Sequence, residues 1–306
     1  MLPGLEPYNR RMLFESSSPP AAALRLVQEY KLASLLGPEL GERWEASGVC
    51  LADGRLCVIF DNTPHVARLP LPPWEAAPTV ELIRQRGEGI GYEDVVYAAG
   101  PRRFYMLIEA DAYRPGVFQA RIETFDPDFR YIETAWVDFP VERANKGLEG
   151  LAYLRRDDQD YLLALCEGNK CRAGALGRRP GGGRIHVLQK SDGRWAPVAK
   201  LRLPKSVRFE DYASLDLVDD RMVVVSQATS AVWAGRLAAG GWEWVDEGQS
   251  FALPRSAKGQ PVYCNAEGVA WLSPTQIVVV SDRAKPGEQP KKCRDKDQSI
   301  HLFDLP

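Results

Sequence analysis

Histidine is scarce in this sequence: His65, His186 and His301 are the whole complement of 306 residues. Each falls early in a different apolar stretch, so they are not expected to gather into a metal cluster. Long apolar runs are missing too. Stretches such as Tyr161–Cys166 are far shorter than the roughly 20 residues of a membrane-spanning helix. Excess charge of either sign is absent, 39 Lys and Arg standing against 41 Asp and Glu for a net −2. Neither nucleic acid nor an anionic membrane surface is therefore an expected partner. The start MLPGLEPYNRRMLFES has no apolar signal-peptide core. The expected location is cytoplasmic, or secreted or periplasmic if a precursor segment has been trimmed. No Gly-x-Ser-x-Gly elbow marks a serine hydrolase. GRRPGGGR at 177–184 lacks the Gly-Lys-Ser/Thr ending of a phosphate-cradling P-loop. What is present is the composition of a globular protein, 45% hydrophobic and 26% charged, with apolar mass for a large core.

The six cysteines leave alternatives open. Cys50 and Cys57 flank an Asp53-Gly54 turn and should face each other on neighbouring strands. Cys166 and Cys171 close a short loop, and Cys264 and Cys293 bracket a later hairpin. Local pairs allow disulfides, and buried free thiols fit equally well. No pair has the spacing and companion ligands of a zinc site.

Self-similarity organises the rest. SGVCLADGRLCVIFD (47–61), EDVVYAAGPRRFYMLIE (93–109), EGLAYLRRDDQDYLLALCE (149–167), SLDLVDDRMVVVSQ (214–227) and EGVAWLSPTQIVVVSD (267–282) share one plan. A polar residue leads an apolar strand, a turn follows, and a second strand ends on another polar residue. Further strands are expected at 65–71, 118–125, 184–189, 230–237 and 299–305, and outer ones at 80–84, 131–139, 197–203 and 242–251. The last repeat runs out of chain, and 24–33 is expected to supply its missing strand. Four-stranded units repeated around an axis predict an all-β, five-bladed β-propeller closed by its N-terminal strand, in a single domain over 1–306 with 1–20 irregular. Six blades would need one hidden between 149 and 214, an interval better filled by the Gly/Arg-rich loop 172–184. A two-sheet sandwich is the other alternative. Trp44, Trp136, Trp195, Trp233, Trp242 and Trp271 read as packing between blades.

In a propeller the first strand of each blade lines the channel. The leading residues Ser47, Glu93, Glu149, Ser214 and Glu267 then form an inner ring. The trailing residues Asp61, Glu109, Glu167, Gln227 and Asp282 form a wider one. Up to seven carboxylates around one opening demand compensation. Oxygen-only donors favour Ca²⁺, with the inner ring as its ligands. Two basic segments follow trailing residues: Lys170, Arg172, Arg178, Arg179 and Arg184 after Glu167, and Arg283, Lys285, Lys291, Lys292, Arg294 and Lys296 after Asp282. A cation beneath basic loops suits an anionic or phosphorylated small ligand.

The ring order Ser-Glu-Glu-Ser-Glu, with its spacing, resembles the calcium-activated nucleotidase (apyrase) family. The run SGVCLADGRLCVIFDNT is similar to that family's first channel hairpin, with Asp61-Asn62-Thr63 where the family carries an Asp-Arg-Thr-like motif. GLEGLAY, AEGVAW and VVSDRA look, more loosely, like phrases of phytase-like bacterial propellers. The resemblance implies a central Ca²⁺ and hydrolysis of a phosphoester or phosphoanhydride. Asp61, Glu109, Glu167 or Asp282 would then orient or deprotonate water, with Asn62, Asn169, Lys170, Gln227 and Arg283 contacting the ligand. A non-catalytic propeller with a structural metal is the runner-up, and a lyase or glycoside-acting enzyme using outer-ring acids comes third. A monomer or weak dimer is expected.

Overall fold

The computed structural model describes residues 22–37, 43–74, 78–87, 91–142, 146–283 and 290–306. The segment 1–20, expected to be irregular, lies outside the described residues, as does Lys285. Strands β1 (Ala22–Ala23) and β2 (Arg25–Lys31) precede one helical turn, Leu32–Leu36. They are followed by β3 (Ala46–Ala52), β4 (Arg55–Phe60), β5 (His65–Pro70) and β6 (Glu81–Arg84). Next come β7 (Tyr92–Ala98), β8 (Arg103–Arg114), β9 (Val117–Phe125) and β10 (Tyr131–Val141). After these lie β11 (Leu148–Arg156), β12 (Gln159–Cys166), β13 (Arg184–Ser191) and β14 (Arg194–Arg202). The remainder is β15 (Ser214–Val218), β16 (Arg221–Ser226), β17 (Ala231–Arg236), β18 (Gln249–Ala252), β19 (Ala266–Ser273), β20 (Gln276–Ser281) and β21 (Ser299–Asp304). Among the described residues no helix is long and apolar enough to cross a membrane.

Turn chemistry sets the hairpins. Asp53-Gly54 and Asp192-Gly193 both take positive φ, as two-residue turns matched to strand twist require. Second strands are apolar on both faces because a neighbour covers each side. Ile277, Val278, Val279 and Val280 of β20 are all fully buried. Outer strands such as β14 keep one face wet, with Val198 and Lys200 exposed.

Strands β3–β6 and β15–β18 form meanders, the latter extended by β1 pairing parallel to β18. Strands β7–β10 and β11–β14 share one eight-stranded sheet, joined by a single parallel pair, Val137 with Trp195. Strand β2 completes β19–β21 by running antiparallel to β21, as expected for 24–33. The expected strand at 242–251 is shorter. Only Gln249–Ala252 pairs, because Trp244 bridges back to Leu237 and its indole bonds Arg202 O.

First strands meet in a closed cycle, β3 against β7, β7 against β11, β11 against β15, β15 against β19 and β19 against β3. The apolar core divides the same way. Val95 and Met106 pack with Cys57, Leu107 with Leu148, Leu165 with Leu215, Val223 with Val269, and Val280 with Val49. This is β-propeller architecture rather than a two-sheet sandwich. Trp44, Trp195, Trp233, Trp242 and Trp271 sit in or against these layers, whereas Trp136 rests edge-on to Tyr113 outside them.

The phrases Ser-Gly-Val, Glu-Gly-Leu and Glu-Gly-Val have a steric cause. A Cβ on Gly48 would stand 2.9 Å from Asp94 Cα, one on Gly150 3.1 Å from Ser214 Cα, and one on Gly268 2.9 Å from Gly48 Cα. Glycine lets the backbones of neighbouring first strands approach at the axis. Cysteines are resolved as two disulfides, Cys166–Cys171 and Cys264–Cys293, with Cys50 and Cys57 free, buried and paired across β3 and β4.

Candidate functional site

Four leading residues are aimed by the same backbone irregularity. Ser47, Glu93, Glu149 and Glu267 each fall where the register of first and second strand slips by one, an extra residue that bends the strand. The trailing residue is then pinned to the segment before the bulge. Asp61 N–H donates to Glu45 O (2.9 Å), Glu167 N–H to Gly147 O (3.1 Å) and Asp282 N–H to Asn265 O (2.9 Å). Ser214 differs. It pairs in register with Val225, is fully buried, and turns its hydroxyl into the axis.

The result is a cavity of about 330 Å³ at one end of the channel. It is bordered by the four bulged residues, by all five trailing residues, and by Glu45, Lys146, Asp211, Tyr212 and Ala213. Nine expected ring positions thus converge, and Ser214, expected among the metal ligands, does not reach the cavity. Glu45, Lys146 and Asp211 were not foreseen. They precede the leading residues of their repeats by two or three positions, a regularity visible only once the bulge is known.

Carboxylates dominate the site: among the described residues Glu45, Asp61, Glu93, Glu109, Glu149, Glu167, Asp211, Glu267 and Asp282 line it against Lys146. Oxygens of Glu109, Glu149 and Glu167 lie within 4.8 Å of one another. Lys146 Nζ bonds Glu167 Oε1 at 2.5 Å, Gly147 N–H donates to Glu109 Oε1 at 2.6 Å, and Gln227 Nε2 donates to Glu267 Oε1 at 2.5 Å. Burial, reinforced by Glu109, Asp61 and Glu167, pushes Glu93 up to about 8. Burial outweighs the Gly147 bond and puts Glu109 at about 7. Asp282 is raised to about 7, chiefly by burial, and the same cause lifts Glu149 and Glu267 well above the carboxylate range.

A second pocket of about 350 Å³ opens beside the first and shares Lys146, Glu167, Asp211 and Gln227 with it. Its other wall carries Arg172 and Arg178, Arg172 being paired with Glu142 at 3.0 Å. Asn169, expected to touch ligand, is wholly buried and holds this wall together. Its Nδ2 donates to Gly177 O (2.8 Å) and Phe209 O (3.0 Å), and its Oδ1 accepts from Gly182 N–H (2.8 Å) and Tyr212 Oη (3.0 Å). Lys170 is exposed, takes a left-handed backbone and borders neither pocket. Asn62 bonds the backbone of Glu45 and Arg43, and Arg283 also borders neither pocket. Among the expected ligand contacts, Gln227 alone lines the cavity.

Beneath the mouth, Asp94 occupies the place that glycine takes after Ser47, Glu149 and Glu267. Its Oδ2 accepts from Leu151 N–H and Ser214 Oγ, both at 2.9 Å, and its Oδ1 from Val95 N–H. One side chain thereby ties three first strands, although burial pushes its carboxyl well up. Asp94→Ala strands these donors and is expected to cost about 2–4 kcal/mol in urea unfolding. Asp94→Asn keeps an acceptor and should cost less than half as much.

No protein-family model matches the chain, and no curated protein matches it in sequence. Solved structures of similar fold include a glutaminyl cyclase of Myxococcus xanthus, with TM-score 0.51 and 13% identity over 94% of this chain and 100% of that one. A calcium-binding regucalcin of Agrobacterium tumefaciens has TM-score 0.49 and 7% identity over 93% and 96%. A GH43_1 enzyme of Xanthomonas citri has TM-score 0.49 and 12% identity over 91% of each chain. At such identities the likeness is one of fold, and the chain is a β-propeller.

Proposed function

We propose that this is a five-bladed propeller whose mouth binds Ca²⁺ and hydrolyses a phosphoester or phosphoanhydride. Counting β7–β10 and β11–β14 as separate units gives five, in agreement with the closed cycle of first strands. The observation that carries the cation is the Glu109, Glu149 and Glu167 cluster, in a cavity whose described lining includes nine carboxylates and one lysine. Carboxylates crowded so closely must hold protons or share a cation, and an all-oxygen donor set suits a hard ion with flexible coordination. Glu149, the member of that cluster on the inner ring, would hold it together with Ser47, Glu93 and Glu267, and when bound it would supply charge to polarise a phosphoryl oxygen. Glu109 and Asp282, near 7, can take up or release a proton at neutral pH. Arg172 and Arg178, rather than Lys170 and Arg283, would receive the anionic part of a small ligand in the adjoining pocket.

Turnover should appear on a nucleotide and phosphoester panel only with Ca²⁺ present. Glu167→Gln should lower it about 100-fold or more without loss of fold. A second reading, a purely structural ion, is favoured by ring side chains that come from different sheets. Ca²⁺-dependent melting with no turnover by the native chain on that panel would select it. Absence of bound Ca²⁺ by metal analysis and calorimetry would sink both.

A further inference from the structure

Cys166 and Cys171 are bridged across five residues at the rim of the propeller. Cys166 ends β12 one residue before Glu167, and Cys171 closes the single turn Asn169–Cys171 just ahead of Arg172. His186 on β13 is buried and sets its Nε2 3.4 Å from Cys171 Sγ. Both sulfurs and an imidazole nitrogen lie within 4.8 Å of one another. A loop this short gains less chain-entropy stabilisation from a cross-link than a long one, and Cys171 is partly exposed to a reductant.

We propose that reduction of this bridge creates a Cys₂His site for a zinc-type divalent cation, independent of the acidic mouth. A dithiol reductant gives two electrons and two protons to the disulfide, is itself oxidised to a disulfide, and leaves two thiols. Each thiol then loses its proton as its sulfur ligates the ion. Two thiolates balance the cation's charge with His186 neutral. Tetrahedral zinc sets ligand sulfur and nitrogen about 3.6 Å apart, close to the spacing already present. The sulfurs must separate, which the one-turn Asn169–Cys171 segment allows, and water can complete the shell on the exposed side. Soft donors here and hard oxygens in the mouth would select different ions.

The test titrates the whole chain with Co²⁺, before and after phosphine reduction confirmed by thiol counting. A thiolate-to-cobalt charge-transfer band, saturating at one equivalent and displaced by Zn²⁺, is expected only after reduction. Cys171→Ser should abolish it. His186→Ala keeps both cysteines of the bridge and removes one of three protein ligands, so it should weaken Co²⁺ binding about 100-fold or more, beyond the roughly 10–100-fold that loss of an outer-shell partner costs. A Cys264→Ser, Cys293→Ser double variant should keep the band. No band in the reduced chain overturns the proposal. So does a band that survives both Cys171→Ser and His186→Ala, since it would belong to Cys50 and Cys57 or to the reduced Cys264 and Cys293.

Discussion

Between pH 5 and pH 8 the metal-free protein is expected to lose stability as pH rises, and Ca²⁺ to restore it most strongly at pH 8. In the fold Glu93 keeps its proton to about 8, and Glu109 and Asp282 keep theirs to about 7. The unfolded chain releases the same protons near 4. Across this window the folded state binds more protons, so raising the pH favours unfolding. The contribution of these groups is complete below about pH 4 and is lost as pH passes through 7 to 8. A cation that binds the ionised ring competes with those protons. At 100 times its dissociation constant it adds about 2.7 kcal/mol, roughly 4 °C in melting temperature for a chain of this length. Calorimetric scans at pH 5, 6.5 and 8, in chelator and in Ca²⁺, read both effects. A melting temperature indifferent to pH in chelator and to Ca²⁺ at pH 8 would contradict the electrostatic description of the mouth.

Gly268→Ala is expected to be among the most damaging single substitutions in the molecule. The added methyl would lie 2.7 Å from Val280 Cγ2 and 2.9 Å from Gly48 Cα. The second contact is backbone, so no rotamer change relieves it. Relief requires β19 to move off β3 and opens the cycle of first strands. A loss of about 3 kcal/mol or more is expected from the urea midpoint, with Ca²⁺ binding weakened because Glu267 is displaced with its strand. Gly240→Ala is the control. It meets nothing within 4 Å and has no left-handed backbone, so it should stay within about 0.5 kcal/mol of the parent. Equal effects at both positions would show that the axial contact matters less than its geometry implies.

The repeat was legible because turn and strand chemistry recurs in plain form: short polar turns, apolar second strands, and a polar residue at each end. Those signals located Ser47, Glu93, Glu149 and Glu267 together with all five trailing residues. Ser214 was not separable from its counterparts by residue type. What distinguishes it is a missing bulge, and a one-residue change of register leaves no trace in composition. Asp94 looked like one more polar strand residue, yet it fills an axial space that glycine leaves open in other repeats. Asn169 stands beside a charged loop in the sequence, but its full set of backbone partners comes from segments up to 41 residues away. Cys166, Cys171 and His186 escaped notice as a group because their spacing follows no zinc motif, and pairing of β12 with β13 brings them together. Local pattern carried the architecture; the assignments it missed depend on register and on pairing between strands.

The pairing of β2 with β21 has a kinetic consequence. Arg25 lies opposite Asp304 across a separation of 279 residues, so joining these strands incurs close to the largest loop-closure entropy the chain can present. Local hairpins are expected to form before that seam is sealed, because their contacts are close in sequence. The sheet it completes also carries Glu267 and Asp282. Assembly of the acidic mouth is therefore tied to a strand pairing 279 residues apart, and a cation added during refolding is expected to report ring closure rather than collapse.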